Sequence, residues 1–581
     1  MRIHMLQPVW LLISLALALT GLPQILAQTA PLDLPLPATE VTVPTETRPA
    51  ELPDGQNLEG HLIRLQNRPE MRELSPEEAE LWPPVFEFYQ CRQFRYAWFS
   101  GAAPRSIARE FAQRLSAAGE DGFRPEAYGA AGLSERVARA VAGELDHGDI
   151  NLLETDLTFA FMKYARHLAR GRVKFTADHI VLFVTSREVN LTARLEQALA
   201  SGSLEPALRE LNPPFAEFWK LRESLARYRA LAATGDWPVV PDGPLVKPGG
   251  RASAGRLSAL RQRLQREGFL AAGTGSSTAN AAKAKTAVYG RDLSNAVIRF
   301  QQAYGLHNAG LLGPETMAQL NVPLTARIRQ IELNLERWRW LPDLAEKTWI
   351  RVDIGRCQLA VFEQGAPKMT MKIIVGQRDW STPQFIDQIA FVSFNPTWFV
   401  PAKIAAEEIA PMARKDSSYV TRNGYYVVDL RSDKQVEPDE VAWDRVTGSR
   451  HIYGIRQRPG SHNALGPLKF VFSRNLAIYL HGTPSVNLFN RASRTFSHGC
   501  IRVEKPIELA AFLLNNDPKW TRDAIVKAID SGGQTTVRLA EPVPAVVLYW
   551  TAMAGDDGVA FSPDVYGLDE KLEQALAKIE T

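Results

Sequence analysis

The chain of 581 residues is long enough for about three or four domains of ordinary size. Hydrophobic residues make up 45% of it and charged residues 23%, and 67 Lys and Arg against 64 Asp and Glu leave a net charge of only +3. This composition is that of a globular protein. It excludes a mostly disordered chain, a fibrous repeat and a multi-span membrane protein, and without a long basic run it gives no reason to expect a nucleic-acid partner.

The N-terminus has the pattern of an export signal. Arg2 and His4 precede the apolar segment 8–22, which has the length of a signal-peptide hydrophobic region and is short for a membrane-spanning helix. We predict a signal peptide over residues 1–27. The alternative is an uncleaved anchor, which would be the protein's contact with a membrane. Residues 28–55, with six prolines and five threonines, predict an extended linker.

Residues 56–245 show helical periodicity and predict a helical scaffold domain. The aromatic-rich stretch 86–99 could serve as a ligand box, but such clusters belong more often to a core, and we interpret it as core. Two further hydrophobic stripes recur at intervals of three and four residues, namely Ile107, Phe111 and Leu115, and Leu157, Phe161, Tyr164 and Leu168.

Residues 256–321 predict three short helices. The first ends at Gly268, a loop rich in small residues follows over 271–287, the second helix ends at Gly305, and Pro314 begins the third. This section resembles the three-helix peptidoglycan-binding module, with Asn308-Ala309 in place of its usual acidic turn. The alternative is a three-helix unit with a purely structural role.

A connecting helix is predicted over 325–345, and the hydrophobic period then changes to alternation. Residues 346–550 therefore predict a mostly antiparallel sheet. The insertion 402–465 is expected to cover a site, and 551–581 form a C-terminal extension. The predicted strands are 349–354, 358–362, 371–375, 389–394, 535–539 and 545–550.

The residues that can carry chemistry lie between 451 and 502. A predicted strand at 477–480 brings His481 to its end, and Cys500 follows nineteen positions later. A free cysteine has a pKa of about 8.5, so it needs a neighbouring imidazole to take its proton before it can act as a nucleophile at neutral pH. Glycine at 499 allows backbone amides to approach a developing oxyanion.

Two further features of this segment bear on the sulfur of Cys500. Arg502 shares a face with Cys500 in an extended segment and can bind a carboxylate. The helix that is predicted to start near Pro506 would stabilise a thiolate if its positive end pointed at the sulfur.

Other roles are open for some of these side chains. Cys91 and Cys357 are interpreted as small buried residues. His481, His498 and Cys500 could instead bind zinc, but no fourth ligand is evident. The remaining two histidines of the segment, His451 and His462, are interpreted as lid or surface residues.

The segment His481-Gly-Thr-Pro, together with Ser497-His-Gly-Cys-Ile-Arg, resembles the signature of the L,D-transpeptidase (YkuD-type) catalytic domain. Further segments extend the resemblance to the large YcbB-type subfamily over nearly the whole mature chain. They include Val375–Arg378, Thr382–Phe385, Phe394–Pro401, Arg456–Gly460, Asn463–Gly466 and Asp564–Leu568.

The resemblance implies a role for each matching residue. Cys500 would be the nucleophile, His481 its general base and His498 an auxiliary catalytic residue. The amides around Gly499 and Cys500 would form the oxyanion hole, with Gly482 and Ser497 in orienting roles. No metal or cofactor is implied. The candidate substrate-binding residues are Arg502, Tyr479, Trp398 and Gln457.

The resemblance also implies a function. Such enzymes cleave an L,D-peptide bond in a tetrapeptide stem of peptidoglycan, form a thioester and pass the acyl group to the amine of another stem, which gives a 3–3 cross-link. We therefore predict a multidomain α+β protein of the periplasm, with a helical scaffold, a three-helix peptidoglycan-binding domain and a mainly-β catalytic domain carrying a capping subdomain. Its partners would be donor and acceptor stem peptides and the glycan, and carbapenems would acylate it.

The sequence leaves three other functions open. Water in place of the amine would make the protein a carboxypeptidase or endopeptidase, and a lipoprotein could serve as the acceptor. A non-catalytic wall-binding scaffold is the third alternative, against which the Cys and His pair argues.

Overall fold

The computed structural model describes residues 57–66, 75–173, 187–271, 285–448, 452–474 and 476–580. The predicted signal peptide and linker and His451 lie outside the described residues. Within these ranges, no helix has both the length and the hydropathy that a bilayer-spanning segment needs.

The N-terminal part of the described chain is helical, as predicted. Its helices pack around the long α5, which is buried on most of its circumference because Leu, Phe, Tyr and Ala side chains occur all round it. The elements are α1 (Leu58–Gln66), α2 (Pro76–Cys91), the hairpin of β1 (Phe99–Ser100) and β2 (Ala103–Pro104), α3 (Ser106–Ser116), α4 (Ala130–Val141), α5 (His147–Arg170), α6 (Leu191–Ser201), α7 (Glu205–Leu211) and α8 (Ala216–Ala233).

The aromatic stretch 86–99 belongs to this core, as predicted. Tyr89 and Trp98 are fully buried, and the carboxylate of Glu154 accepts the Tyr89 hydroxyl and the backbone N–H groups of Ala97 and Trp98. Burial raises the pKa of Glu154 to about 7. The prediction for Cys91 is wrong: it is exposed, because it ends α2 on the side opposite the buried stripe of that helix.

The next section contains the three predicted helices. Gly268 caps the first with a φ of 94°, a value that favours glycine, and Pro314 begins the third. Residues 286 and 287 were predicted as the end of the loop, but together with Val288 they pair as a strand with the residues that precede the first helix. The elements are β3 (Arg251–Ser253), α9 (Ala254–Glu267), β4 (Thr286–Val288), α10 (Arg291–Ala303) and α11 (Pro314–Leu320).

The chain then enters the β section through one helix and four strands, in agreement with the predicted change of period. The strands contain the stretches predicted here except for Ile354, which follows the end of β5, and they extend two of the stretches toward the N-terminus. The elements are α12 (Leu324–Trp338), β5 (Trp349–Asp353), β6 (Gln358–Glu363), β7 (Ala366–Gly376) and β8 (Phe385–Phe394).

The inserted capping subdomain has a small sheet and a hydrophobic core of its own. The sheet order is β11-β10-β12-β9, so it includes Trp398–Phe399, which precede the predicted insertion. The elements are β9 (Trp398–Phe399), α13 (Ala402–Ile404), a π-helical turn (Ala405–Ile409), α14 (Ala410–Lys415), α15 (Ser418–Arg422), β10 (Tyr425–Asp429), β11 (Lys434–Val436) and β12 (Tyr453–Gln457).

The remaining strands complete a nine-stranded mixed sheet in the order β15-β7-β16-β14-β13-β8-β17-β5-β6. Because β6 also pairs with β7, the sheet closes on itself around a buried interior. The elements are β13 (Leu468–Phe472), β14 (Tyr479–His481), β15 (Thr495–Ser497), β16 (Ile501–Val503), α16 (Pro506–Leu513), α17 (Arg522–Asp530) and β17 (Thr535–Leu548).

The C-terminal extension is part of the main body, built from β18 (Ala552–Gly555), β19 (Gly558–Phe561) and α18 (Leu568–Glu580). Its side chains share one hydrophobic core with α8, the three-helix section, α12 and the outer face of the closed sheet. Buried Arg337 of α12 also pairs with Asp569 at 2.5 Å.

Candidate active site

Two neighbouring parallel strands place four of the predicted site residues on one face of the closed sheet. In β14 and β16, Leu480 lies opposite Ile501 and His481 lies opposite Arg502. Leu480 and Ile501 point into the hydrophobic interior and are fully buried. Since side chains alternate along a strand, His481 and Arg502 point to the other face. Tyr479 lies two residues before His481, and Cys500 lies two residues before Arg502, so both share that face.

The turn that carries the cysteine is held by Ser497. The Ser497 hydroxyl donates to the carbonyl of Cys500 at 2.5 Å and accepts the N–H of Gly499 at 3.2 Å. Gly499 has a φ of 105°, a conformation that favours glycine.

This turn corrects the predicted oxyanion hole. The Gly499 N–H already donates to Ser497, whereas the Cys500 N–H has no acceptor in the described part of the chain. Of these two amides, only that of Cys500 is free to bind a developing oxyanion.

His481 is held in a single orientation and tautomer. Its Nδ1 lies 2.6 Å from the carbonyl oxygen of Gly482, and since a carbonyl can only accept, the proton is on Nδ1 and the lone pair is on Nε2. The side chain is 4% exposed, and burial, followed by the positive charge of Arg502, lowers its pKa to about 3. His481 is therefore a neutral imidazole at neutral pH.

Cys500 also rests in its neutral form. Burial raises the pKa of its thiol, against the opposing effects of the Tyr479 N–H, Lys469 and Arg502. The helix predicted near Pro506 is present as α16, which begins at Pro506 beyond β16. The Cys500 thiol lies 3.8 Å from the Ala477 carbonyl oxygen, and both this thiol and the imidazole of His481 on the same face of the sheet are uncharged at rest.

Two cations lie beside the cysteine. Lys469 of β13 is opposite His481, and its Nζ lies 3.5 Å from the centre of the Tyr479 ring. The Nε of Arg502 is buried without a hydrogen-bond partner. Within the described ranges neither side chain forms an ion pair, so both are available to a bound carboxylate. Lys469 was not predicted. The alternation along β13 puts its side chain on the other face of the strand from the buried Leu468 and Phe470.

The capping subdomain contacts the site through His498. The Nε2 of His498 lies 2.6 Å from Oε1 of Glu408 in the π-helical turn. The rings of His498 and Trp380 are nearly perpendicular, and their centres are 4.8 Å apart. Lys403 of the same subdomain lies over Trp380 at 3.9 Å. The sequence analysis missed Glu408, because nothing in its local sequence distinguishes it from the other exposed glutamates of the insertion.

The two other candidate substrate-binding residues pair with each other in the capping sheet. Trp398 is half-buried, and its ring lies 6.4 Å from that of Tyr425. The prediction for Gln457 is wrong: it is 3% exposed, and its amide is used up by the backbone groups of Asn423, His462 and Ala464. The His462 side chain is exposed, as a surface residue should be.

Among the described residues, no group of three or more His, Cys, Asp and Glu side chains is arranged to hold a metal ion. The chemistry available at this site is that of a thiol, a neutral imidazole, a free backbone amide and two cations. Such a set suits covalent acyl transfer.

Comparison with known families agrees with this chemistry. Residues 347–526, which contain Cys500 and His481, match the family described as the L,D-transpeptidase catalytic domain, YkuD. The chain carries an L,D-transpeptidase catalytic domain. Residues 253–320 match a "Putative peptidoglycan binding domain", and residues 83–225 match a scaffold domain. The predicted combination of helical, three-helix and mainly-β sections is confirmed.

A curated relative from Haemophilus influenzae, "Putative L,D-transpeptidase", is 31% identical over 247 residues. The match covers 42% of this chain and about half (49%) of the relative's length. Two solved L,D-transpeptidases are also similar. That from Xylanimonas cellulosilytica has 16% identity and a TM-score of 0.16 and covers 53% of this chain and 99% of its own. That from Stackebrandtia nassauensis has 12% identity and a TM-score of 0.19 and covers 54% and 96%.

The C-terminal segment is connected by hydrogen bonds to the turn that carries Cys500 in the transpeptidase domain. The Tyr566 hydroxyl donates to the carbonyl of Gly376 and accepts the N–H of Thr382 at 3.4 Å. The Thr382 hydroxyl accepts the N–H of Gly376 at 2.9 Å and donates to the carbonyl of Gly499 at 2.8 Å. These bonds connect residues far apart in the chain and hold the residue that precedes the nucleophile.

The neutral resting pair predicts how alkylation of the transpeptidase thiol depends on pH. Because the pKa of Cys500 is raised and that of His481 is lowered, thiolate forms only above the usual thiol pKa of about 8.5. We expect iodoacetamide to react with Cys500 at least about tenfold faster at pH 9 than at pH 6, measured by intact mass in a Cys91→Ser background. A rate that stayed constant between pH 5 and pH 8 would indicate a thiolate–imidazolium pair instead.

Proposed function

We propose that this protein is an exported L,D-transpeptidase that forms 3–3 cross-links in peptidoglycan through a thioester on Cys500. The observation that carries the proposal is the register of β14 and β16, which brings His481 and Cys500 to one face of the sheet beside a free backbone amide. The match of residues 347–526 supports the reaction class.

In the first half of the reaction, the donor stem acylates the cysteine. Nε2 of His481 takes the thiol proton as the sulfur attacks the carbonyl carbon of the L,D-peptide bond. The Cys500 N–H stabilises the oxyanion, and collapse breaks the C–N bond. His481 returns its proton to the leaving amine, so the products are a thioester and a free amino acid.

The second half transfers the acyl group to an amine. The side-chain amine of a second stem attacks the thioester carbon, a C–N bond forms, the C–S bond breaks, and the proton lost by nitrogen returns to sulfur through His481. One amide is consumed and one is made, so the exchange needs no ATP, which is absent outside the cytoplasm.

Other parts of the chain fit this substrate. Lys469 and Arg502 supply positive charge beside the nucleophile, where a stem peptide carries carboxylates. The section that matches a peptidoglycan-binding domain would raise the local concentration of the polymer. The predicted export signal supports a periplasmic location for this activity.

The identity of the products tests the proposal. We expect the purified protein, incubated with tetrapeptide stems, to give a cross-linked dimer that mass spectrometry identifies by its 3–3 bond. A carbapenem should add its mass to the protein, with the adduct on the peptide that contains Cys500. Formation of tripeptide alone, without dimer, would show that the acceptor is water and that the protein is a hydrolase.

A further inference from the structure

Charges of opposite sign meet at the proposed catalytic centre, and they come from different parts of the fold. Lys469 and Arg502 belong to the closed sheet, whereas the carboxylate of Glu408 reaches the site from the capping subdomain. The transferase reaction has two substrates, a donor with carboxylates and an acceptor with a cationic amine. The two kinds of charge match the two substrates.

Glu408 is placed to act on a ligand as well as on His498. Its side chain is 55% exposed and bonds to His498 through Oε1, and among the described residues Oε2 has no ion-pair partner. A carboxylate can only accept, so the 2.6 Å contact puts a proton on Nε2 of His498, and Nδ1 is the ring nitrogen that does not face the carboxylate. His498 is itself 25% exposed, which leaves its ring accessible to a proton donor.

The surroundings of Glu408 bring it close to the nucleophile. Its charge acts on Arg502, where it raises the pKa against the lowering by burial, and on Tyr425, where it contributes to a raised pKa. Arg502 in turn acts on Cys500. Glu408 therefore contacts the residue two positions before Cys500, and its charge reaches Arg502 of the sheet and Tyr425 of the capping subdomain.

We propose that Glu408 and His498 together form the binding site for the cationic amine of the acyl acceptor. This inference rests on the proposed transpeptidase function and deepens it. Glu408 attracts the ammonium group and repels the carboxylates of the donor, which Lys469 and Arg502 attract. The capping subdomain thereby contributes a residue that selects an amine over water.

The proton balance of the transfer step follows from this arrangement. The ammonium, held by Glu408, gives one proton to Nδ1 of His498, and the resulting imidazolium stays paired with the carboxylate. The neutral amine then adds to the thioester carbon, the C–S bond breaks, and the second nitrogen proton passes to sulfur through His481. His498 releases its proton to solvent, so the net products are the amide, the thiol and one proton.

The test is the substitution Glu408→Gln, which removes the charge and keeps the shape. Glu407→Gln is the matched control, because Glu407 lies in the same π-helical turn, is 55% exposed as well, and pairs at 4.0 Å with exposed Lys403 instead of a site histidine. Thioester formation with the donor alone is followed by intact mass. The ratio of cross-linked dimer to hydrolysed tripeptide is then measured at increasing acceptor concentrations.

We expect Glu408→Gln to form the thioester no more slowly than the parent, because the charge that repels the donor carboxylates is gone, while the acceptor concentration for half-maximal transfer rises about tenfold or more. Glu407→Gln should behave like the parent, and both variants should keep the parental melting temperature. A dimer-to-tripeptide ratio in Glu408→Gln within twofold of the parent would overturn the inference, and so would an equal loss of thioester formation and transfer. A parent protein that forms no thioester would instead refute the proposed function itself.

Discussion

Replacing Cys500 with Ala is expected to abolish cross-linking completely, because it removes the thiol that the register of β14 and β16 places on the same face as His481. The thiol is the atom to which the donor acyl group bonds, so its removal eliminates the covalent intermediate. Intact-mass analysis after incubation with tetrapeptide stems should show the added acyl mass on the parent and none on Cys500→Ala. Binding to isolated peptidoglycan should be unchanged.

Cys91→Ser is the control for this experiment. Cys91 is also a free cysteine and is exposed at the end of α2, in the helical section. We expect it to contribute nothing to the reaction, so the variant should retain the parental rate. An acyl mass found on Cys91 or on any other side chain would contradict the role assigned to Cys500.

Replacing His481 with Ala should slow thioester formation by at least about a hundredfold at pH 7, a typical loss for a general base. The effect is large because burial raises the pKa of Cys500, so without a base very little thiolate is present at neutral pH. The residual rate of His481→Ala should increase with pH as hydroxide takes over deprotonation, and the difference from the parent should shrink toward pH 9. Single-turnover acylation by a carbapenem measures both rates.

His462→Ala is a suitable comparison, because His462 is exposed on the capping insertion and, among the described residues, its side chain has no recorded contact with Cys500 or His481. It should retain parental acylation. An activity of His481→Ala within a few-fold of the parent at pH 7 would rule out the general-base role, since the orientation of His481 by Gly482 would then serve no catalytic purpose.

The capping subdomain packs as a unit separate from the strands that carry His481 and Cys500. It has its own hydrophobic core and meets the catalytic residues through a few polar and cation–π contacts, such as Glu408 with His498 and Lys403 with Trp380. Contacts of this kind are worth little compared with a buried apolar interface. The acceptor site that we propose can therefore vary through the insertion without disturbing the nucleophile and its base.

The sequence alone was sufficient for the features that depend on local patterns. Helical and alternating periodicities predicted the helical sections and most strands, because burial of one face imposes a period on the side chains. The motifs around His481 and Cys500 indicated the reaction class through their resemblance to a known family, and those motifs are short local segments. The contacts of Ser497 and Gly499 are of this local kind.

Only the tertiary structure decided which distant side chains join that motif. Lys469 reaches the site through strand pairing, Glu408 through the position of the capping subdomain, and Tyr566 through the return of the C-terminal segment to β7. It also separated Gln457, whose amide serves the backbone, from the residues that are free to bind a ligand. Such contacts depend on how the elements pack in space, and a lysine, glutamate or tyrosine carries no local sign of its partner.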